Sequence, residues 1–342
     1  MKIGKALEEV NRIIASRLES RSTVLKGLFG DSSPACGKQL RARLFFDFRE
    51  TVDDRAVKAA SAIELLHTAT LIHDDILDES VTRRDRPALY IKCGIPASVL
   101  YGDYLVSEAF SLMVDAGDPL LLAEMVRALS GTLGGEIEEQ SRRGDLSMTR
   151  KEYLAIIERK SGSLFGFACM AGLIMKGLGG RMPGKAYRFG MGVGTAYQIL
   201  DDLSDYFGPE GGRKKFNDFR EGVITLPLIY LLDRCSGAEK KFIAERLRNS
   251  AGAAADPDRI ITLMKRYEVI SDCCDDARDI LRTTSDGLKE MSGKLHKSRF
   301  GVAAFMEEKI DYAEKEYRNS RKRICGNERN SPAGQIPECA LQ

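Results

Sequence analysis

Apolar residues recur at spacings of three and four through most of this chain, in segments 5–19, 56–77, 98–115, 119–141, 150–176, 184–206, 223–234, 238–249, 257–267, 270–291 and 301–322. That is the period of a helix with one apolar face. No stretch alternates apolar and polar residues convincingly enough to predict a strand. The breaks between segments are rich in Gly, Pro, Asp and Ser, as in GDSSPACG, DAGDP, GLGGRMPG and FGPEGG. Thr149, three residues before Glu152 and ahead of YLAII, forms a capping box that starts a helix. The expected fold class is all-α, with roughly ten or more helices. No internal repeat and no linker separates two cores, so one domain is expected over 1–322. Periodicity fades from about Arg321, and residues 323–342 read as a frayed tail.

Within these helices lie two acidic clusters of the form D-D-x-x-D. Asp74, Asp75 and Asp78 sit in LIHDDILDES, and Asp201, Asp202 and Asp205 sit in YQILDDLSDY. On a helix, positions i, i+1 and i+4 fall on one side, so each cluster is expected to present its carboxylates to a common point. Alone, either cluster reads as a solvated acidic face. Two copies accompanied by ordered cations read differently. Hard oxygen ligands at this spacing suit Mg2+, which bridges to substrate phosphates, and two facing clusters would hold a diphosphate between them.

The cations are spread along the chain. Lys38 and Arg41 follow a glycine in CGKQLRAR, and Arg83 and Arg84 follow Asp78. His67 lies two helical turns before Asp74. Lys160-Ser161 occurs in ERKSGSLFG, Gln198 precedes Asp201 by three residues, and Arg213, Lys214 and Lys215 occupy the Gly-rich loop 207–222. These are too many phosphate-type ligands for one diphosphate.

Composition excludes several other roles. With 52 basic and 50 acidic residues well mixed, and no basic stripe with interleaved aromatics, a nucleic-acid partner is not expected. The N-terminus is amphipathic, without the apolar core of a signal peptide, and no apolar run is long enough to span a bilayer. A cytoplasmic protein is expected. The eight cysteines form no C-x-x-C and there are three histidines, so free thiols are expected rather than a zinc site. The final CALQ matches a C-a-a-X lipidation signal only formally.

The ordered motifs GKQLR, HTATLIHDDILD, Arg83-Arg84, Gly102-Asp103, Lys160-Ser161, QILDDLSD and EGVITLP resemble those of the trans-isoprenyl diphosphate synthases, the polyprenyl synthetase family. The resemblance runs from about Gly37 to the early 230s. It implies a single-domain helical bundle around a central active-site cavity, working as a homodimer. It implies Mg2+ ligation by Asp74 and Asp78 with Asp75 in support, and by Asp201 with Asp202 and Asp205 around it, holding roughly three ions with substrate bound. Arg83, Lys160, Ser161, Gln198, Arg213 and Lys215 would hold an allylic diphosphate. Lys38, Arg41, His67 and Arg84 would hold isopentenyl diphosphate. His73, next to Asp74, reads as structural or as a support to the metal ligands. Gln39 stands where many relatives have Arg, and Val223 stands where a lysine is usual.

The implied chemistry is ionisation, condensation and elimination. Charge stabilisation lets the allylic diphosphate leave, an apolar pocket shields the cation, and the isopentenyl double bond attacks it. The departed diphosphate takes the proton. Leu66, Ala69 and Thr70 lie below the first cluster. Small residues there leave a tunnel open, which favours products of about six or more isoprene units that could partition to a membrane. Leu66, Tyr104 or Phe110 could close that tunnel and give a shorter product. Two other readings use the same clusters. A class I terpene cyclase needs only one diphosphate site, and a non-catalytic subunit usually lacks one cluster, whereas both sites and both clusters are intact here.

Overall fold

The computed structural model describes residues 3–19, 37–83, 86–207, 216–248, 256–289, 302 and 304–315. Its helices are α1 (Ile3–Glu19), α2 (Leu40–Arg49), α3 (Asp54–Leu77), α4 (Leu89–Cys93), α5 (Ile95–Asp115), α6 (Pro119–Ser141) and α7 (Arg150–Ile157). They continue with α8 (Ser163–Met175), α9 (Met182–Phe207), α10 (Asn217–Glu221), α11 (Leu226–Arg234), α12 (Gly237–Arg248), α13 (Pro257–Arg266) and α14 (Val269–Lys289). A last helix, α15, covers 304–315. The all-α expectation holds. The one sheet among the described residues is a hairpin pairing Thr82–Arg83 with Arg86–Pro87. Two-residue strands are too short to leave an alternating pattern in the sequence.

The centre of the molecule is α8, in which every residue from Ser163 to Leu173 is buried. A helix that is apolar all round belongs inside. Phe165, Cys169 and Leu173 face a core shared with α7, α9, α11 and α14. Leu164, Phe167 and Ala168 face a second core built with α1, α3, α5 and α6. Neighbouring backbones come very close to it. A Cβ at Gly190 of α9 would lie 2.3 Å from the Phe165 carbonyl oxygen, so only glycine fits. Truncating the fully buried Phe167 to alanine would cost about 3–5 kcal/mol.

Helix α2 was not expected from periodicity, and the reason is physical. Leu44 and Phe48 enter the first core while Phe45 and Phe46 enter the second. A helix wedged between two cores has no polar face to set its period. Gln39, at its N-terminus, donates from Nε2 to Asn11 Oδ1 at 2.9 Å and so ties α2 to α1.

The single segment expected over 150–176 is interrupted. The capping box forms as expected, with the Thr149 N–H donating to Glu152 at 2.8 Å. A π-helical turn, Glu158–Gly162, then joins α7 to α8. The extra residue in that turn shifts the register just where Lys160 and Ser161 occur. Gly135 of α6 makes room for it, since a Cβ there would meet the Lys160 backbone nitrogen at 2.4 Å.

Both acidic clusters lie at the C-terminal ends of long helices. Asp53 caps the start of α3 by accepting from the Ala56 N–H at 2.8 Å, and Asp78 is the C-cap at its other end. The second cluster occupies the last two turns of α9. Helix C-termini carry partial negative charge, so neither helix dipole compensates these carboxylates. The charge must be met from elsewhere.

Candidate active site

The structure does not bring all three carboxylates of either cluster to one point. In the first, successive residues turn by a third of a revolution, so Asp75 swings away from Asp74 into the protein. Asp75 is buried, and Arg83, from the hairpin that follows α3, donates to its Oδ1 from Nε at 2.7 Å and also from Nη2. Asp78 accepts from Arg143 Nη2 at 2.9 Å. Asp74 is left at the cleft. Burial pushes its carboxyl up to about 8; Lys160 opposes this, while Glu136 and Asp78 reinforce it.

The second cluster divides in the same way. Asp202 is buried, accepting from Tyr153 OH at 2.5 Å and from Gln198 Nε2 at 2.7 Å. Ser161 Oγ donates to Gln198 Oε1. Asp202 therefore fixes the orientation of the Gln198 amide, and Ser161 reads the other end of it. Asp205 accepts the backbone N–H groups of Asn217 and Asp218 at 3.1 and 3.2 Å, which anchors the start of α10 to the end of α9. Burial raises the carboxyls of both Asp202 and Asp205, against these hydrogen bonds. The two clusters lie within electrostatic reach of each other, since Arg83 interacts with Asp74 and Asp75 of one and Asp201 of the other.

Lys160 projects from the π turn between two carboxylates of α6. Its Nζ is 2.8 Å from Glu136 Oε2 and pairs with Glu139 as well. Burial works against its charge, but Glu139, Glu136 and Asp74 hold it well above the usual lysine range. Glu139 is itself raised by burial in spite of Lys160. Glu136, which also accepts from Gln140 at 3.0 Å, is held below the usual range despite its burial.

A separate group of cations lies toward the start of α2. The Arg41 guanidinium stacks on Phe165, 4.1 Å from the ring centre, with its Nε buried and without a hydrogen-bond partner. Burial lowers Arg41 to about 10, against the attraction of Glu64, Tyr197 and Asp74. Lys38 is exposed. His67 is half-buried on α3, two turns before Asp74 as expected. His73 packs against Gly102, where a Cβ would come 2.1 Å from its Nε2, so the expected structural role agrees with its surroundings. Arg84, Arg213 and Lys215 lie outside the described residues, as does the CALQ terminus.

Several site residues escaped the sequence reading. Glu136 and Glu139 share a face of α6 at i, i+3, a spacing that could have marked them. Tyr153 carries no local signal for its bond to Asp202. Arg143 links the first cluster to the segment after the second, reaching Glu221 at 3.8 Å as well as Asp78. The same junction is locked by the Gly144 N–H donating to the Gly222 oxygen at 2.7 Å. Val223 beside it is buried. Asp218 is raised by burial and by Asp205 and Asp202.

Among the described residues, no three acidic, histidine or cysteine side chains close into a cage that would hold a metal by themselves. The donors are carboxylates of two helices that lie within electrostatic reach of each other. An open, all-oxygen set of this kind fits a hard divalent cation that completes its shell with substrate oxygens.

The helical scaffold thus gathers two acidic clusters within electrostatic reach of each other, Lys160 on a π turn beside the first, and Arg41 on Phe165 apart from it. The comparisons with known proteins narrow this further. A polyprenyl synthetase family model matches residues 23–264. A geranylgeranyl diphosphate synthase of Saccharolobus solfataricus is 29% identical over 278 residues, 78% of this chain and 84% of its own length. An all-trans-nonaprenyl-diphosphate synthase (geranyl-diphosphate specific) of Rhodobacter capsulatus is 33% identical over 227 residues, 66% of this chain and 69% of its own. The crystal structure of a polyprenyl synthase from Caulobacter crescentus CB15, complexed with calcium and isoprenyl diphosphate, matches with a TM-score of 0.82 and 30% identity, over 91% of this chain and 94% of that one. The chain belongs to the polyprenyl synthetase family.

Proposed function

We propose that this enzyme condenses isopentenyl diphosphate with an allylic diphosphate to give a longer trans-polyprenyl diphosphate. The observation that carries the reading is the separation of two cation groups around one acidic cleft. Lys160 stands among Asp74, Glu136 and Glu139, while Arg41 stacks on Phe165 and Lys38 lies near Phe305. One diphosphate needs only one of these groups, so two substrates are bound.

In this reading Arg83, Lys160, Ser161 and Gln198 hold the allylic diphosphate. Mg2+ would be held by Asp74, Asp78 and Asp201, with Asp75, Asp202 and Asp205 in support, and would neutralise charge on the departing diphosphate. Asp202 keeps the Gln198 amide turned toward the substrate, and Asp75 does the same for Arg83. Lys38, Arg41 and His67 place the isopentenyl diphosphate so that its double bond meets the allylic carbon. The apolar wall of α3 and α8 excludes water from the cation. No protein base is required, because the diphosphate oxygen left beside the product accepts the proton.

The product is proposed to be of medium to long chain. Leu66 and Ala69 are fully buried, Thr70 donates its hydroxyl to the His67 carbonyl oxygen at 2.8 Å, and α3 offers no aromatic floor below Asp74. A homodimer is proposed through α5 and α6, which expose Leu100, Val114, Leu133 and Ile137. Exposed apolar side chains gathered on adjacent helices mark an interface, and closed two-fold pairing is its commonest form. No helix among the described residues is long and apolar enough to cross a membrane. A cytoplasmic site of action, with a product that enters the bilayer, is part of the same proposal.

The test is mass analysis of products from isopentenyl diphosphate and C5, C10, C15 or C20 primers with Mg2+. Products lengthened by whole isoprene units are expected. A primer that is converted while isopentenyl diphosphate is left untouched would indicate a cyclase and overturn the reading.

A further inference from the structure

The end of the molecule remote from the acidic clusters carries cations that the reaction does not use. The stretch 176–188, KGLGGRMPGKAYR, holds Lys176, Arg181, Lys185 and Arg188 and no acidic residue. It follows α8, turns through Gly177 and Gly180, both in the left-handed region, and starts α9. The Lys185 N–H donates to the Arg181 carbonyl oxygen at 3.2 Å, so Arg181 already belongs to the first turn of α9. Positions 181, 185 and 188 then share one helix face. Arg181 and Arg188 are exposed, and no described carboxylate pairs with either. Lys176 pairs at 2.5 Å with Glu50, at the end of α2. Met175, Leu178, Met182 and Pro183, interspersed with these cations, are half-buried and still touch solvent.

The growing product points toward this end. Asp53, which caps the start of α3, pairs at 2.8 Å with Arg49 at the end of α2. A Cβ at Gly172 of α8 would meet the Arg49 backbone nitrogen at 3.0 Å. The start of α3 and the ends of α2 and α8 therefore lie together. Along α3 they are about 30 Å from Asp74. A tail that grows from the diphosphate past Ala69 and Leu66 descends α3 in their direction.

We propose that this end, bearing Lys176, Arg181, Lys185 and Arg188, docks the enzyme on an anionic bilayer, so that the product tail grows toward lipid while both diphosphates stay in water. The proposal rests on the reading above of a long apolar product. Attraction to anionic headgroups adds up over a basic cluster, and half-buried apolar side chains among the cations can enter the interface. Long basic side chains suit this role, with apolar stems below and charged heads at the phosphates. A nucleic acid is the poorer match. The one aromatic of the stretch, Tyr187, packs against the second core and is not free to stack on bases.

Co-sedimentation of the full-length enzyme with vesicles provides the test. Wild type should bind phosphatidylcholine vesicles containing phosphatidylglycerol at least about tenfold better than phosphatidylcholine alone, and lose that preference in ~0.5 M salt. The double variant Arg181→Gln/Arg188→Gln should weaken this binding by about tenfold or more. Its first condensation with a C5 primer, run without vesicles, should keep the wild-type rate, and Arg181→Lys/Arg188→Lys should restore binding. Equal wild-type binding to neutral and anionic vesicles would overturn the proposal. So would undiminished binding by the glutamine variant, or capture of transfer RNA but not of vesicles. Sedimentation is read without turnover, so its failure leaves the prenyltransfer reading standing. Anionic-vesicle binding by an enzyme that fails to consume isopentenyl diphosphate would break that reading alone.

Discussion

The two acidic clusters share one pattern, and the protein compensates their charge by different means. The first is met by guanidinium groups, Arg83 on Asp75 and Arg143 on Asp78. The second is met by neutral donors, Tyr153 and Gln198 on Asp202 and two backbone N–H groups on Asp205. In both, the residue at i+1 is the one drawn into the protein, where it holds a neighbouring side chain, Arg83 or Gln198. The difference teaches that one motif can have its inward carboxylates compensated by guanidinium groups in one helix and by neutral donors in another.

The largest expected effects fall on residues left facing the cleft. Asp74→Ala or Asp201→Ala should each lower kcat by several kcal/mol of lost transition-state stabilisation, read as isopentenyl diphosphate consumption with Mg2+. Near-normal turnover in either would remove that residue from the site. Replacing the inward carboxylates should do less. Asp202→Asn and Asp75→Asn each leave the cleft carboxylates in place and are expected to cost about 10–100-fold in activity. Asp202→Asn should act through Gln198, raising KM for the allylic primer. If both inward variants prove as inactive as Asp74→Ala, the division between inward and outward residues is wrong.

The burial of Asp74 also predicts a pH dependence of stability. Asp74 is raised from an ordinary value of 3.8 to about 8 in the folded protein. A raised carboxyl contributes stability below its unfolded value and loses it as pH climbs through the folded one. The thermal midpoint of the metal-free protein should therefore fall as pH rises toward 8. Mg2+ with inorganic pyrophosphate should remove that fall, and Asp74→Asn should flatten it without metal. A midpoint that rises over the same range would contradict the assignment. The smallest change in rate is expected from Ala69→Phe, which should shorten the product while leaving the first condensation intact. An unchanged product length would put the floor of the tunnel elsewhere.

Much of this was legible in the sequence. The periods of α1, α13 and α14 are strong because each has one apolar face against a core, and both acidic clusters lie at the ends of helices, which their spacing implied. What was lost has specific causes. The α2 run LFFDF faces two cores and has no period, and the π turn at Glu158–Gly162 breaks a pattern that looked continuous from 150 to 176. Asp75 and Asp202 share a motif with cleft residues, and only the rotation of each helix shows that they point inward. Glu139, Arg143 and Tyr153 make contacts with residues far apart in the chain, which spacing along one helix does not encode.

The most direct measurement is Mg2+-dependent binding of a non-ionisable allylic thiodiphosphate, by calorimetry, to the wild type, Asp74→Ala and Asp201→Ala. If both walls grip one diphosphate, each single variant should weaken binding by about a hundredfold or more, and removing Mg2+ from the wild type should do the same. Wild-type affinity in either variant would show that one cluster holds the diphosphate alone, and that the facing pair is not the working unit.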